Sequence, residues 1–478
     1  MAELLDLPEE LLSIICSLTE QGSLIPLALS CKIFNRIAGN HYLQRLGRFG
    51  GHYLYVSALP RYGTEVSFKE LQNIASILGS LTNVYHLDCQ FSASSTVKEL
   101  RFLASIIRPI QRMNTVKLRF NNPGRCLTSA FHKAFEGLLQ EAQGLGYRQL
   151  DIQGIVPPVK GSFKYNLPPY GRLSSFTVSD GFLRTLPHRK WIISLLNSSP
   201  AVSCLILECS QEWTEILPKL CIPSLQTLSF MRANYGGLFR DQSRGKASDI
   251  SVLADFASRH KNLDYVDCSG QFAVTTTSSK TQHPLPHIKT FKGTLPQLYH
   301  LISGPDGKDI LCNLQIIHIV PYVDVGFEVT PPGPLAKKQL SDLFALIHTR
   351  STIRKLVISA KSLPTLNSRK PKPSLTKFTF QHLLELEIND FGTLSETSIA
   401  GFVRWGRVVY PSAHALHMQN GHWKPERASL FAQAVIAEWP SVQVLELDWT
   451  SRNIAEWIKC PCSRYDQKWL GPSDCVIC

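Results

Sequence analysis

One spacing recurs along this chain and limits its possible folds more than any other feature: apolar residues set as Leu-x-x-Leu-x-Leu. Thirteen segments carry it, among them Val84/Leu87/Cys89, Val202/Leu205/Leu207, Leu225/Leu228/Phe230, Leu263/Val266/Cys268, Leu314/Ile317/Ile319, Ile353/Leu356/Ile358, Leu383/Leu386/Ile388 and Val442/Leu445/Leu447. Weaker copies centre on Leu118, Leu150, Phe176, Phe291 and Leu416. From Leu87 to Leu445 there are 358 residues in twelve steps, a mean of about 30. Recurrence on that scale marks a solenoid, because one such unit cannot bury its apolar face alone and must stack on the next.

Between these segments lie stretches of helical periodicity: Phe68–Leu78, Val97–Ile107, Ser129–Gln143, Ile250–His260, Lys337–His348, Glu396–Trp405 and Glu426–Trp439. Strands alternating with helices at this period build a parallel sheet with helices outside it. The expected fold is therefore α/β, with an irregular leucine-rich-repeat-like solenoid over residues 48–459. A small helical unit, residues 1–47, precedes it, and a cysteine-containing tail, residues 460–478, follows it. The steps vary from 23 residues (Leu205 to Leu228) to 39 (Ile317 to Leu356), so an ordinary α/β domain is the competing expectation. The longer steps hold candidate surface loops, such as the Pro331-Pro332-Gly333-Pro334 spacer and the basic, proline-containing Ser362–Ser374.

The N-terminal unit opens with Leu7-Pro8-Glu9-Glu10-Leu11-Leu12. Pro8 suits a first helical turn, and Glu9 and Glu10 complement the helix dipole. Leu11, Leu12, Ile15 and Leu18 fall at helical spacing, which predicts one apolar stripe. Short stretches at Leu24–Leu29 and Lys32–Ala38 predict two more helices. Three short helices make a very small core, which needs a partner or a larger neighbour to hold it.

Composition narrows the function classes. Of 478 residues, 44% are hydrophobic and 18% charged, a globular balance. No apolar run approaches the roughly 18–20 residues that cross a bilayer, so no membrane span is expected. The start, Met1-Ala2-Glu3-Leu4-Leu5-Asp6, is acidic where a signal or transit peptide is basic, which points to the cytoplasm or nucleus. Lys and Arg exceed Asp and Glu by 50 − 37 = 13, but the surplus is spread along the chain without a basic tract, which disfavours a nucleic-acid partner. No nucleophile elbow, phosphate-binding glycine loop or His-Glu-x-x-His helix is present, so the chain is expected to be non-catalytic.

Two groups of residues remain as candidates. In each strand the residues flanking the central apolar position point away from the core. Lys117, Arg119, Tyr265, Asp267, Glu385, Glu387 and Glu446 are expected on that outward face, basic early in the chain and acidic late, a bipolar pattern that suits a protein target. The tail holds Cys460, Cys462, Cys475 and Cys478, two close pairs able to bind zinc tetrahedrally or to remain free thiols. No other cofactor is expected.

The block Leu7-Pro8-Glu9-Glu10-Leu11-Leu12-x-x-Ile15-x-x-Leu18, followed by Leu24-x-x-Leu27-Ala28-Leu29-Ser30-Cys31-Lys32-x-Phe34, resembles an F-box, with Tyr42-Leu43 closing it. Phe34 stands where many members carry Trp. The irregular repeats behind it resemble the divergent leucine-rich arrays of fungal F-box proteins, although no consensus Asn follows the strands. The resemblance implies a three-helix motif docking on the Skp adaptor of a cullin–RING ubiquitin ligase, and a repeat region holding a protein substrate. By position Leu7, Pro8, Leu11, Ile15, Leu27, Ser30, Lys32 and Phe34 match the docking motif. An F-box scaffold working outside a ligase, and a basic solenoid binding nucleic acid, stay open as alternatives.

Overall fold

The computed structural model describes residues 4–453, apart from 46–52, 58–65, 72–84, 121–128, 155–163, 232–247, 274–284, 303–310, 321–336, 361–377, 390–395 and gaps of three residues or fewer. The chain divides into two compact units, Met1–Ser248 with Arg259–Leu263, and Asp249–Ser258 with Asp264–Cys478.

The first unit starts with helices α1 (Glu9–Leu18), α2 (Gln21–Ser30) and α3 (Lys32–Arg45). Its strands are β1 (Tyr53–Ser57), β2 (Val66–Ser67), β3 (His86–Phe91), β4 (Thr115–Phe120), β5 (Gln149–Gly154), β6 (Ser175–Val178), β7 (Cys204–Glu208) and β8 (Thr227–Met231). Helices α4 (Thr96–Ile107), α5 (Ser129–Gly144), α6 (Asp180–Leu183), α7 (Leu186–Asn197) and α8 (Trp213–Ile216) lie between strands. The strand order is β8-β7-β6-β5-β4-β3-β1-β2, with parallel pairing throughout.

The second unit contains α9 (Ile250–Arg259, its last residue grouped with the first unit), β9 (Tyr265–Asp267), β10 (Thr290–Gly293), α10 (Leu295–Ile302), β11 (Ile316–Ile319) and α11 (Lys337–His348). It continues with β12 (Lys355–Ser359), β13 (Glu385–Asn389), α12 (Glu396–Val409), β14 (Ala415–Met418), α13 (Pro425–Glu438), β15 (Val444–Leu447) and β16 (Thr450–Asn453). Its strands follow chain order and pair in parallel, except that β16 returns antiparallel along β15.

From β3 to β8 and from β9 to β15, the steps from strand to strand use the same hydrogen bonds. The carbonyl of Asn114 accepts the successive amides of Arg148 and Gln149 at 2.8 and 2.9 Å. Arg148 O does the same for Ser174 and Ser175, Gln315 O for Arg354 and Lys355, and His414 O for Gln443 and Val444. One residue just before each strand thus anchors the next repeat, which keeps neighbouring strands parallel and in register. Side chains lock the same turns: Arg259 donates to Leu217 O and Leu220 O, Asn262 to Pro223 O, Asn313 to Pro286 O and Arg350 to Leu311 O.

The core lies on one side of the strands. In β4, Val116, Leu118 and Phe120 are buried while Thr115, Lys117 and Arg119 are part-exposed. Phe120 meets Phe131 and Phe135 of α5 edge-on, at 5.6 and 6.0 Å between ring centres. Helices therefore cover the apolar face and leave the alternate residues of each strand as a separate polar face. At the end of β5, Gly154 has φ +99°, and a Cβ there would lie 1.9 Å from Phe120 O, so only glycine fits this close approach.

Candidate functional site

The N-terminal helices are built from apolar residues that divide into two sets. Leu12 and Cys16 of α1, Leu24 and Ala28 of α2, and Phe34, Ile37, Ala38 and Tyr42 of α3 are buried. Ser13 Oγ lies 2.8 Å from His41 Nε2, and Arg36 pairs with Glu9. The carbonyl of Pro8 accepts from the amides of Leu11 and Leu12, which starts α1. A second set faces outward: Leu11 at 46% exposure, Ile14 at 53%, Leu18 at 81%, Leu29 at 56% and Ile33 at 38%. The single stripe expected from Leu11, Leu12, Ile15 and Leu18 is split, because Leu12 turns inward with Cys16 while Leu11 and Leu18 share the outer face with Ile14.

Of the expected docking positions, Pro8, Leu11, Ser30 and Lys32 are exposed, and Leu7, Ile15 and Leu27 are half-buried. Phe34 is 3% exposed and belongs to the core of the three-helix unit, so it supports the surface from beneath. Ile14 and Ile33 were not singled out in the sequence, and Leu18 and Leu29 were named in the F-box-like block but not among the docking positions. For Ile14 and Leu18 the signal was the surplus of apolar residues on α1, more than one buried stripe can use.

On the polar strand face of the first unit, register sets Asp88, Lys117 and Asp151 side by side on β3, β4 and β5. Lys117 Nζ lies 3.3 Å from Asp151, and Arg119 Nη2 lies 2.8 Å from Asp88. The Arg119 guanidinium also sits 5.7 Å from the centre of the Tyr55 ring. Burial pushes the Asp88 and Asp151 carboxyls up from their ordinary range, against the pull of Arg119 and Lys117. The basic pair expected here is thus neutralised by two aspartates on adjacent strands.

On the corresponding face of the second unit, register runs Asp267, Lys292, His318, Val357, Glu387, His417, Glu446 across β9 to β15. Lys292 Nζ is 2.9 Å from Asp267. Lys355 Nζ reaches Glu385 at 3.5 Å and Glu387 at 3.1 Å. His417 Nδ1 and Gln419 Nε2 both hold Glu446, at 2.9 and 2.8 Å. Burial, with help from Lys292, lowers His318 to about 4, and burial beside Asp267 raises Tyr265 to about 12.

The structure therefore brings together Lys117 with Arg119, Tyr265 with Asp267, and Glu385 with Glu387 and, one strand beyond His417, Glu446. The bipolar face gives way to local ion pairing in each unit. Among the described residues of this face, carboxylates outnumber cations from β13 to β15. Cys460, Cys462, Cys475 and Cys478 lie outside the described residues. Among the described residues no group of three or more His, Cys, Asp or Glu side chains is placed to hold a metal ion.

The sequence matches no protein-family profile and no curated protein. Among solved structures it is similar to one from the complex of Rad7 and Elc1 in yeast, with 10% identity over 86% of this chain and 88% of that chain. The TM-score is 0.37. A likeness of that size bears on neither partner nor activity.

Proposed function

We propose that this chain is a non-catalytic recognition subunit of an SCF-type cullin–RING ubiquitin ligase, working in the cytoplasm or nucleus. Its F-box-like helices dock on the Skp adaptor, and its polar strand face holds a protein target. The observation that carries the reading is the outward apolar set Leu11, Ile14, Leu18, Leu29 and Ile33 on a unit whose buried core is made by other residues. Spaced at i, i+3 and i+7, Leu11, Ile14 and Leu18 form a continuous apolar ridge on α1. Such a ridge favours a helix-lined partner groove over water.

The mechanism needs no titrating group in this chain. Holding the target beside a charged ubiquitin-conjugating enzyme raises the effective concentration of its lysines, and the partner enzymes perform the transfer. Local ion pairing on the first unit's strand face also argues against a polyanion there, because Lys117 and Arg119 are already engaged by Asp151 and Asp88.

Co-purification with the Skp adaptor tests the reading, wild type against Leu11→Asp/Ile14→Asp. Both positions are solvent-facing, so the variant is expected to fold normally and lose the adaptor. Equal recovery with both proteins, or failure of the folded wild type to recover adaptor, overturns it.

A further inference from the structure

We propose that the strand face from β12 to β15 receives arginine side chains presented by a protein target, an inference that rests on the recognition-subunit reading above. The argument is an account of donors and acceptors. Glu385, Glu387 and Glu446 bring three carboxylates to this face, against the single ammonium of Lys355. His417 Nδ1 and one N–H of the Gln419 amide serve Glu446.

One further acceptor on this face has no donor. Gln419 is 3% exposed, and its Oε1 has no hydrogen-bond partner, although its amide is held against Glu446 inside the carboxylate cluster. The Nε2 atom of His417 is also buried without a hydrogen-bond partner. A buried acceptor left without a donor is unfavourable, so a donor-rich group entering here recovers what the fold leaves unsatisfied.

The chemistry selects among donor-rich groups. A guanidinium offers five N–H donors in a planar fork, is weakly hydrated and binds carboxylates in pairs. An ammonium offers a compact point charge, and Lys355 already fills that role between Glu385 and Glu387. Glu385, with its side chain 39% exposed, stands at the open side, and Glu387 and Glu446 are less exposed at 21% and 18%. That gradient suits a side chain entering from solvent and ending against Glu446 and Gln419.

The test uses the full chain and a dye-labelled Gly-Arg-Ser-Arg-Gly-Arg-Ser-Arg-Gly peptide. A counterpart with citrulline at each arginine keeps the shape and removes the charge. Fluorescence anisotropy is expected to show the arginine peptide binding wild type about tenfold more tightly than the citrulline peptide. Glu387→Gln/Glu446→Gln is expected to erase the difference. Asp255→Asn/Glu438→Gln, an equal change of charge on helices α9 and α13, is expected to keep it.

Equal binding of both peptides by wild type, or an arginine preference that survives Glu387→Gln/Glu446→Gln, overturns the proposal. If that double variant does not fold, Glu385→Gln decides: a preference as strong as that of wild type then overturns it. Adaptor recovery is read on the same preparations. Adaptor bound without arginine preference defeats this inference alone, and arginine preference without adaptor defeats the ligase reading alone.

Discussion

Arg119 and Asp88 meet at 2.8 Å on the strand face, yet burial holds the Asp88 carboxyl above its ordinary range despite that cation. Desolvation therefore outweighs attraction for this carboxylate, and the two partners are not equivalent. Arg119→Met strands a carboxylate whose side chain is 8% exposed, and is expected to destabilise the fold by roughly 1–3 kcal/mol. Asp88→Asn removes the buried charge and is expected to cost less. Adding it to Arg119→Met is expected to restore part of the loss, as a denaturation double-mutant cycle would show. Equal costs for the two single variants would contradict this ordering.

The same physics governs the histidines buried in the first unit. His188 stacks on Phe182 with 4.0 Å between ring centres, and His132 lies 5.2 Å from it. Burial lowers His132 to about 4 and His188 to about 3, the second also through the first. In the unfolded chain each titrates near ~6.5, so below that pH the unfolded state takes up protons that the folded state refuses. Their stabilisation is complete above ~6.5 and is lost as pH falls toward 4 and 3. Melting temperature is expected to drop through that window in wild type and to drop less steeply in His132→Asn/His188→Asn. Parallel profiles would refute the assignment. Alternation in the sequence shows which residues face outward, but the partner of each lies a whole repeat away. The neutralisation of Lys117 and Arg119 was therefore invisible before the register was known.

Among the elements, the strands were the most legible, because each needs only three apolar residues at fixed spacing and stacks on a copy of itself. Helices α4, α5, α9, α11, α12 and α13 also follow their periodicity, within a few residues at their ends. Helix α7 was overlooked although His188, Trp191, Ile192, Leu195 and Leu196 are all buried on one stripe. Its first member is a histidine, and a proline precedes it. Strand β16 reads Thr450-Ser451-Arg452-Asn453, without an apolar residue to mark it, and β15 alone specifies its pairing.

Packing between α12 and the turn after α13 depends on one glycine. A Cβ at Gly406 would meet the Trp439 ring at 2.2 Å, and Trp439 Nε1 donates to Tyr410 O at 3.0 Å beside it. Gly406→Ala is expected to cost about 1–3 kcal/mol in thermal or chemical denaturation. Gly401, on the same helix with open space at its Cβ, is the control, and Gly401→Ala is expected to be neutral or stabilising. Equal stability of the two variants would show that the ring moves aside freely.

At the scale of the whole molecule, the sequence points to a small helical plug ahead of a repeat array, and the structure adds what each part leaves unsatisfied. The plug has an apolar ridge beyond its own core, and the β12–β15 face has acceptors beyond its own donors. Both surpluses are of the kind that a partner removes, one by burying carbon and the other by supplying N–H groups. The ridge was only half legible, because residue types alone do not say which leucines of a very apolar helix turn inward.

The central claim is that the outer ridge of α1 binds the Skp adaptor. Isothermal titration of the purified full chain with purified adaptor measures this most directly, wild type against Leu11→Asp/Leu18→Asp. The expected result is one-to-one binding by wild type, and none by a variant that melts like wild type. A folded wild type that gives no heat of binding, or a variant that binds as tightly, would contradict it.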